Sequence, residues 1–537
     1  MRSSLQKDSS HLLNYLKESL KDYSQFISIS SFNNIIISIE KKFLKIFLEE
    51  LYKNTELKIS FVSLFANDER IKDNKFKLYL LLHLVEYQSL LTVEVTIPEG
   101  DVSYPSITSL IPQAEWHERE IHDMYGIVPS GIELDPLILH RDWPHGKHFP
   151  MRNEFPQDKQ IPISEVPHEF KQPHGEGMYQ IAVGPIHAGI IEPGHLRFYA
   201  IGEEIHKFDA QLFYTHKGIE KMAEGKTIEE VLVLAEHVCG MCSYSHSSAF
   251  CQAVENITDI QVPERVAYIR TICLELERLS SHLFDLTAIC SAGGLAFASS
   301  HAARLREIIM RLIFNLTGHR FFRGLNAIGG LKRDLGNEEF NLLAKKLEQF
   351  KKQFQEVENL ILNSDSLLDR LETTGFLSNE NAVKLGVVGP TARASGLDKD
   401  IRRDLPYLVY CDLAFKVPVC TDGDALARTQ VRVDEIYESI RIIKLLIKEL
   451  PFGQIIGNTS STHPAYKKGV GLIESAKGEL LHWIMLNSEN KVVRWHIRSA
   501  SYMNWRGMVL ATMGNNIVPD GPLVNKSFNL CYACVDR

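Results

Sequence analysis

The sequence predicts an α+β protein in which an N-terminal α/β domain precedes a mainly α-helical domain. Three features predict it. Four strand-like runs lie between Ile35 and Ile97, a proline-rich stretch without periodicity covers Pro129 to Gly175, and long segments beyond it carry apolar residues at helical spacing. A chain of 537 residues is also long enough for two or more domains and a large core.

In chain order, Leu12 to Phe26 has the pattern of a helix. The stretches around Ile35 to Ser38, Leu57 to Phe65, Lys77 to Glu86 and Leu91 to Ile97 read as strands. The expected organisation is a first domain over residues 1–128, a connector over 129–175 wrapped on a surface, and a second domain over 176–537. Beyond Gly184 the text reads as helical. Its clearest helix starts at Pro263, in the favoured first-turn position, with apolar residues at Val266, Ile269, Cys273, Leu276, Leu279, Leu283 and Leu286. Phe340 to Leu362 and Val431 to Leu450 are two more amphipathic segments. Such helices pack as a bundle and present functional groups between facing helices.

Composition narrows the function. With 45% hydrophobic and 23% charged residues the chain has the make-up of a globular protein. A net charge of -8 and the lack of a long basic block exclude general nucleic-acid binding. Met1 to Lys17 has no continuous apolar core, which predicts no secretory signal. Apolar stretches such as Leu78 to Val85 are far shorter than the roughly 18 residues that span a bilayer, so membrane contact is expected only through partners. Nine cysteines in a long chain without a secretory signal favour thiolates over disulfides and point to the cytoplasm.

Four of those cysteines form two Cys-x-x-Cys pairs: Cys239 and Cys242 in EHVCGMCSYSH, and Cys531 and Cys534 in NLCYACVDR. Each spacing puts two sulfurs within reach of one metal, and four thiolates complete a tetrahedral site. Soft thiolates suit zinc, nickel or iron. Zinc ribbons bring their pairs from neighbouring knuckles, which the wide separation here does not match, and chance pairs of buried thiols are the remaining alternative. Cys251, Cys273, Cys290, Cys411 and Cys420 occur singly and read as small core hydrophobes.

The two pairs, together with IEPGHLRFY (191–199), YTHKGIEKM (214–222), GPTARASG (389–396) and KGELLHW (477–483), resemble the motifs of nickel-iron hydrogenase large subunits of the formate hydrogenlyase and hydrogenase-4 type. WHEREIHDMYGI (116–127) and HRDWPHGKHFPMRNEF (140–155) are similar to the 30-kilodalton subunit of complex I, which that type carries fused in front. The resemblance implies a second domain of the hydrogenase large-subunit and complex I 49-kilodalton fold. It implies Cys239 and Cys531 as terminal nickel ligands, and Cys242 and Cys534 as bridges to an iron carrying small diatomic ligands. Heterolytic cleavage of dihydrogen then makes the Cys531 sulfur the candidate base.

Glu192 takes the position of the family's proton-relay glutamate, a role that needs a pKa near working pH. His195 and Arg197 lie on the same segment. Glu220 matches a glutamate that helps hold a structural magnesium ion, and His246 a histidine that hydrogen-bonds near the centre and fixes ligand geometry. The run Glu118, Arg119, Glu120, His122, Asp123 reads as a docking surface. Glu277, Arg278 and His282 stand at near-helical spacing, as a buried cluster or as local pairs.

Three positions depart from the hydrogenase pattern: His237 replaces an arginine before the first pair, Lys477 replaces the arginine over the open metal position, and Asn529-Leu530 replaces Asp-Pro. Lysine lacks the planar fork of arginine. Lys477 and the terminal Val-Asp-Arg lean toward the 49-kilodalton subunit of complex I, which lacks the metal cysteines. The resemblance also ends near Arg537, where family members are often clipped. The leading expectation is an oxidoreductase that interconverts dihydrogen with protons and electrons, passing electrons to an iron-sulfur small subunit because this chain has no spare cysteine cluster. Integral membrane subunits and maturation proteins are the other implied partners, and a peripheral place on the inner face of the cytoplasmic membrane is the implied location. A complex I-like subunit that couples quinone or ferredoxin redox chemistry to ion movement, with an altered or vestigial metal site, is the second expectation. A zinc-holding scaffold is the third.

Overall fold

The computed structural model describes residues 27–30, 34–53, 57–140, 142–156, 158, 160–162, 175–187, 192–458 and 463–537. The chain divides into two compact units, Met1–Lys171 and Gln172–Arg537. The helix expected over Leu12 to Phe26 lies outside the described residues.

The first unit is built on a five-stranded sheet of β1 (Ile27–Ser30), β2 (Asn34–Glu40), β3 (Ile59–Asp68), β4 (Lys75–Leu84) and β5 (Ser89–Pro98), in the order β1-β2-β5-β4-β3. β2 and β5 run parallel and the other neighbours antiparallel. On β2, Ile35, Ile37 and Ile39 are buried and alternate with less buried residues, the period of a strand with one covered face. Helix α1 (Leu44–Lys53) buries Leu44, Phe47, Leu48 and Leu51, the i, i+3, i+4, i+7 stripe of an amphipathic helix.

Helix α2 (Glu115–Tyr125) carries the charge run expected to form a docking surface, and here the structure differs. Glu118 is buried and accepts from Ile107 N at 2.8 Å, Ser106 Oγ at 2.6 Å and Thr108 Oγ1 at 2.8 Å. Asp123 accepts from the backbone of Leu137 and Ile138 at 2.8 and 2.9 Å, while Arg119 donates to Asp135 O and Pro136 O. These charges satisfy the backbone of irregular segments that have no sheet or helix partner. The described part of the proline-rich stretch is tied to this unit: Met151 N donates to Met124 O, and Arg152 Nε to Tyr125 O.

The second unit opens with an antiparallel sheet of β6 (Tyr179–Val183), β7 (His195–Ile201) and β8 (Glu204–Gln211). Helices α3 (Ile228–Ala235), α4 (Ser243–Thr258), α5 (Glu264–Ala292), α6 (Ala296–Thr317), α7 (Asn337–Leu362) and α8 (Ala425–Glu449) follow. α5 starts directly after Pro263, and all seven apolar positions expected to face the core are 0% exposed. α7 buries Phe340, Leu343, Leu347, Phe350, Phe354, Val357 and Ile361. A second antiparallel sheet, β9 (Lys467–Ser475), β10 (Gly478–Leu486) and β11 (Val492–Arg498), interrupts the helical text. Helices α9 (Ala500–Thr512), α10 (Gly521–Phe528) and α11 (Tyr532–Asp536) close the chain.

Helix α4 lies flat on β9 because two glycines face it. A Cβ on Gly471 would stand 1.9 Å from Ala249 O, and one on Gly469 would stand 2.1 Å from Ala253 O. That close approach sets the distance between the start of α4 and the middle of β10, where part of the site lies.

Candidate metal centre

The first cysteine pair occupies the turn between α3 and α4. Thr227 and Glu230 form a capping box that starts α3, and Cys242 stands at the N-cap of α4 with His246 one turn on. The hydrogen bond with Cys239, with burial adding to it, pushes the Cys242 thiol well above its ordinary range, so the proton of this pair stays on Cys242. The second pair sits at the start of α11: Cys531 precedes its first residue and Cys534 lies within it.

The sheet, helices and C-terminal segment bring these residues together. The Sγ atoms of Cys239 and Cys531 are 3.1 Å apart, and those of Cys239, Cys531 and Cys534 all fall within 4.8 Å of one another. Cys242 packs into the same cluster, and all four are free thiols. Hydrogen bonds from Cys242, Cys531 and Cys534 hold the Cys239 thiol well below its ordinary range. One sulfur is thereby stabilised as thiolate at a single focus, the charge state a soft cation would extend to all four. The donor set therefore fits a thiolate-bound nickel-iron pair.

Glu192 reaches the focus from the loop before β7. Gly194 packs so closely on the second pair that a Cβ there would meet the Tyr532 ring at 2.3 Å. Glu192 Oε2 accepts from Ala533 N at 2.8 Å and stands 3.8 Å from Cys531 Sγ. Burial pushes its pKa up, opposed by the Ala533 N–H. His195 and Arg197 hydrogen-bond to each other at 2.6 Å, and His195 Nδ1 to Gly184 O at 3.0 Å, so they brace the strand start.

His246 Nε2 is 3.6 Å from Cys534 Sγ. Its Nδ1 is 3.0 Å from Nε2 of His482 on β10, whose Nδ1 accepts from Trp495 Nε1 on β11 at 3.2 Å. Burial lowers the His246 pKa to about 4 and holds His482 well below its ordinary value, so both rings are neutral. On the other side, Glu277 accepts from Tyr244 N and Ser245 N at 2.7 and 3.0 Å, and burial raises it to about 7. Glu277, Arg278 and His282 are all buried; Arg278 and His282 meet on Glu435 Oε2, whereas Glu277 is bonded to Tyr244 and Ser245.

Lys477 is 4% exposed and its Nζ is ion-paired with Asp285 Oδ1. The same oxygen accepts from Asn529 Nδ2 at 2.6 Å, and Oδ2 accepts from Arg432 Nε at 2.8 Å. Although burial opposes it, the Lys477 and Arg432 cations hold Asp285 far below the usual carboxylate range. Arg432 also donates to Phe528 O at 3.1 Å, which anchors the helix leading to Cys531.

Glu220 is 8% exposed and lies in a cationic cradle. Its Oε1 accepts from Arg537 Nη1 at 3.0 Å and Ile497 N at 2.9 Å, and its Oε2 pairs with Arg494 at 2.9 Å. A magnesium ion needs oxygen ligands in an octahedral shell. Two guanidinium groups already neutralise this carboxylate, and His496, the ligand-type side chain grouped with it in this unit, offers a nitrogen, so this cradle does not match the oxygen shell the ion needs. The neighbouring Asp536 accepts from Phe213 N and Thr215 N at 2.9 Å each, which clamps the C-terminal segment. No role was read for Asp285, His482, Trp495 or Asp536 in the sequence, although His482 and Asp536 sit inside quoted motifs, KGELLHW and NLCYACVDR.

Fold and sulfur cluster together define the class of redox subunits shared by hydrogenases and complex I. The family model described as "Respiratory-chain NADH dehydrogenase, 49 Kd subunit" matches residues 294–471 and 458–537, the 30 Kd subunit model matches 37–161, and "Nickel-dependent hydrogenase" matches 217–289. The chain is 35% identical over 481 residues to "Formate hydrogenlyase subunit 5" of Escherichia coli (strain K12), spanning 88% of this chain and 84% of that one. It is 34% identical to "Hydrogenase-4 component G" of the same organism, spanning 88% and 83%. A solved structure titled "Structure of the membrane-bound sulfane sulfur reductase (MBS), an archaeal respiratory membrane complex" superposes with a TM-score of 0.64 at 28% identity, covering 68% of this chain and all of that one. The chain belongs to the formate hydrogenlyase and hydrogenase-4 family of large subunits, in which a complex I 30-kilodalton-like domain is fused to a 49-kilodalton-like one.

Proposed function

We propose that this chain is the catalytic large subunit of a membrane-associated, multi-subunit hydrogenase that interconverts dihydrogen with protons and electrons. The observation that carries this reading is the meeting of four thiols from two distant Cys-x-x-Cys pairs, with a carboxylate 3.8 Å from one of them. Cys239 and Cys531 would hold nickel as terminal ligands, and Cys242 and Cys534 would bridge it to an iron with small diatomic ligands. Bound in this way, the metal pair supplies heterolytic cleavage of dihydrogen.

The chain's own residues handle the proton. Cys531 Sγ is the acceptor nearest Glu192, and Glu192 Oε2, pinned by Ala533 N–H, takes the proton on. Its raised pKa brings exchange closer to working pH. Lys477, held by Asp285, contributes a fixed positive charge beside the C-terminal segment. Electrons leave through a partner, and an iron-sulfur small subunit is the partner this requires. Integral membrane subunits and maturation proteins complete the proposed assembly. Among the described residues no helix is long and apolar enough to cross a membrane, which suits a peripheral place on the inner face of the cytoplasmic membrane.

A second reading, a complex I-like quinone-coupled subunit, is favoured by the Lys477, Asp285 and Asn529 cluster, which replaces the arginine of hydrogenases. Elemental analysis of the purified complex separates the two: nickel with iron supports the first, neither metal supports the second, and zinc alone supports a scaffold. Cys531→Ser should lose nickel and hydrogen turnover together, since a serine oxygen is a harder ligand. Full nickel occupancy in that variant would exclude the proposed ligand set.

A further inference from the structure

Two buried groups beyond His246 complete a hydrogen-bonded line that ends on a cysteine sulfur. Trp495 and His482 are both 0% exposed. They stand on neighbouring strands: His482 pairs with Ile497, and Trp495 lies two residues before it, so both side chains share the face that α4 covers. The indole edge meets Phe250 of α4 at 5.6 Å between ring centres, which fixes the ring. From Trp495 Nε1 the line runs 3.2 Å to His482 Nδ1, then 3.0 Å from His482 Nε2 to His246 Nδ1, then 3.6 Å from His246 Nε2 to Cys534 Sγ.

The chemistry of the first member sets the direction of all the rest. An indole N–H only donates, whereas a neutral imidazole donates from one nitrogen and accepts at the other. His482 Nδ1 must therefore accept, which places its proton on Nε2. His246 Nδ1 must accept in turn, which places its proton on Nε2, facing the sulfur. If Trp495 gave no proton to this line, either tautomer would satisfy both rings, and one of them aims a nitrogen lone pair rather than an N–H at the Cys534 sulfur.

We propose that His482 and Trp495 are positioning residues for the metal centre: Trp495 fixes the tautomer of His482, His482 fixes that of His246, and His246 thereby presents an N–H to Cys534. The proposal deepens the hydrogenase reading and rests on it for the identity of what Cys534 holds. An N–H donated to a thiolate withdraws electron density from the sulfur and so tunes the metal it binds. The line carries no protons, because the indole cannot release its own. Proton traffic is left to Glu192, which meets Cys531 rather than Cys534.

Three variants of the full chain test this. His482→Gln preserves the direction of the line, since its amide oxygen accepts from Trp495 and its NH2 group donates to His246. His482→Leu breaks the line, and Trp495→Phe removes only the donor while keeping a ring against Phe250. Nitrogen-15 NMR of histidine-labelled, metal-free chain should report His246 as the Nε2–H tautomer in wild type and His482→Gln, and as a mixture in the other two. In the assembled complex at equal nickel content, His482→Leu and Trp495→Phe should shift the infrared bands of the iron's diatomic ligands. Hydrogen-deuterium exchange should fall about 10- to 100-fold in both, the usual effect of losing an outer-shell partner, and His482→Gln should rescue bands and rate together. An unchanged His246 tautomer in His482→Leu and Trp495→Phe would overturn the proposal, as would unshifted bands. Should His482→Leu fail to fold, Trp495→Phe still decides. A complex without nickel and iron would sink the hydrogenase reading alone, because the tautomer is read without metal.

Discussion

Replacing Glu192 with glutamine isolates the proton step from metal binding. Glutamine has the same size, and its amide oxygen can keep the 2.8 Å bond from Ala533 N, so the loop before β7 stays seated on the second cysteine pair. What is lost is the exchangeable proton 3.8 Å from Cys531 Sγ. Removing a positioned acid-base group slows reactions about 10²- to 10⁴-fold, or about 2.7 to 5.4 kcal/mol of barrier. Hydrogen-deuterium exchange by the assembled complex is the assay, with nickel and iron measured on the same sample. The pH profile gives a second readout. Glu192 accepts a proton only when ionised, and burial raises its pKa, so wild-type hydrogen oxidation should fall as pH drops through that raised value. The Glu192→Gln variant should lack this limb. Wild-type exchange with full metal loading in Glu192→Gln would refute the relay and return Glu192 to a purely structural role.

Asp285→Ala leaves the Lys477 and Arg432 cations buried and unpaired, which should cost about 3–5 kcal/mol in denaturant unfolding of the chain; an unchanged midpoint would show that the pairs are dispensable. Glu474 is buried against Arg393 and Asp400, and burial, with Asp400 adding to it, raises its pKa to about 7. Between pH 4.5 and 7 the folded chain thus holds a proton there that the unfolded chain has released, so its contribution to stability falls by about 1.4 kcal/mol per pH unit. Glu474→Gln should therefore gain relative to wild type as pH rises from 5 to 8, in paired denaturation curves; a constant difference would contradict the raised pKa. Elemental analysis should find no stoichiometric magnesium, and chelator treatment should leave the melting temperature unchanged, whereas Arg537→Ala should lower it; magnesium recovered in wild type and lost in Glu220→Gln would reverse the assignment of that cradle to Arg494 and Arg537.

The strands of the first unit were legible because β2 alternates buried and less buried residues, and α5 because its apolar stripe holds a helical period over six turns. The sheet of β9 to β11 was not. All nine residues of β10 are buried, so GELLHWIML shows no alternation, and an apolar run of that length reads equally well as a helix. In β8 a bulge between Ile205 and Lys207 breaks the alternation and leaves the two buried residues, Ile205 and Phe208, three apart. The charge run on α2 looked like a solvated face because sequence shows charges but not the irregular backbone they satisfy. At the site, the cysteines were readable because each pair is local, with two residues between its cysteines. Asp285 was not, since its partners Lys477 and Asn529 lie 192 and 244 residues further along the chain and no local pattern links them.

Two of the three departures from the hydrogenase pattern meet on that one carboxylate. Asp285 Oδ1 accepts from both Lys477 and Asn529, and Oδ2 from Arg432. An arginine in place of Lys477 presents a planar fork that can serve two carboxylates at once, whereas an ammonium is a compact point charge. With lysine here, an aspartate at position 529 would set a second carboxylate against Asp285 at hydrogen-bond distance in a buried site, and the like charges would repel. Asparagine at that position donates where aspartate could only accept. The two exchanges thus form a single change in which the loss of the fork is matched by the loss of one negative charge, and every oxygen of Asp285 remains satisfied. His237 stands apart from it: the side chain is exposed and its Nδ1 bonds back to Val233 O at 2.7 Å within the preceding turn. The exchange at 477 and 529 therefore keeps the buried charge of Asp285 paired, whichever redox chemistry the subunit carries.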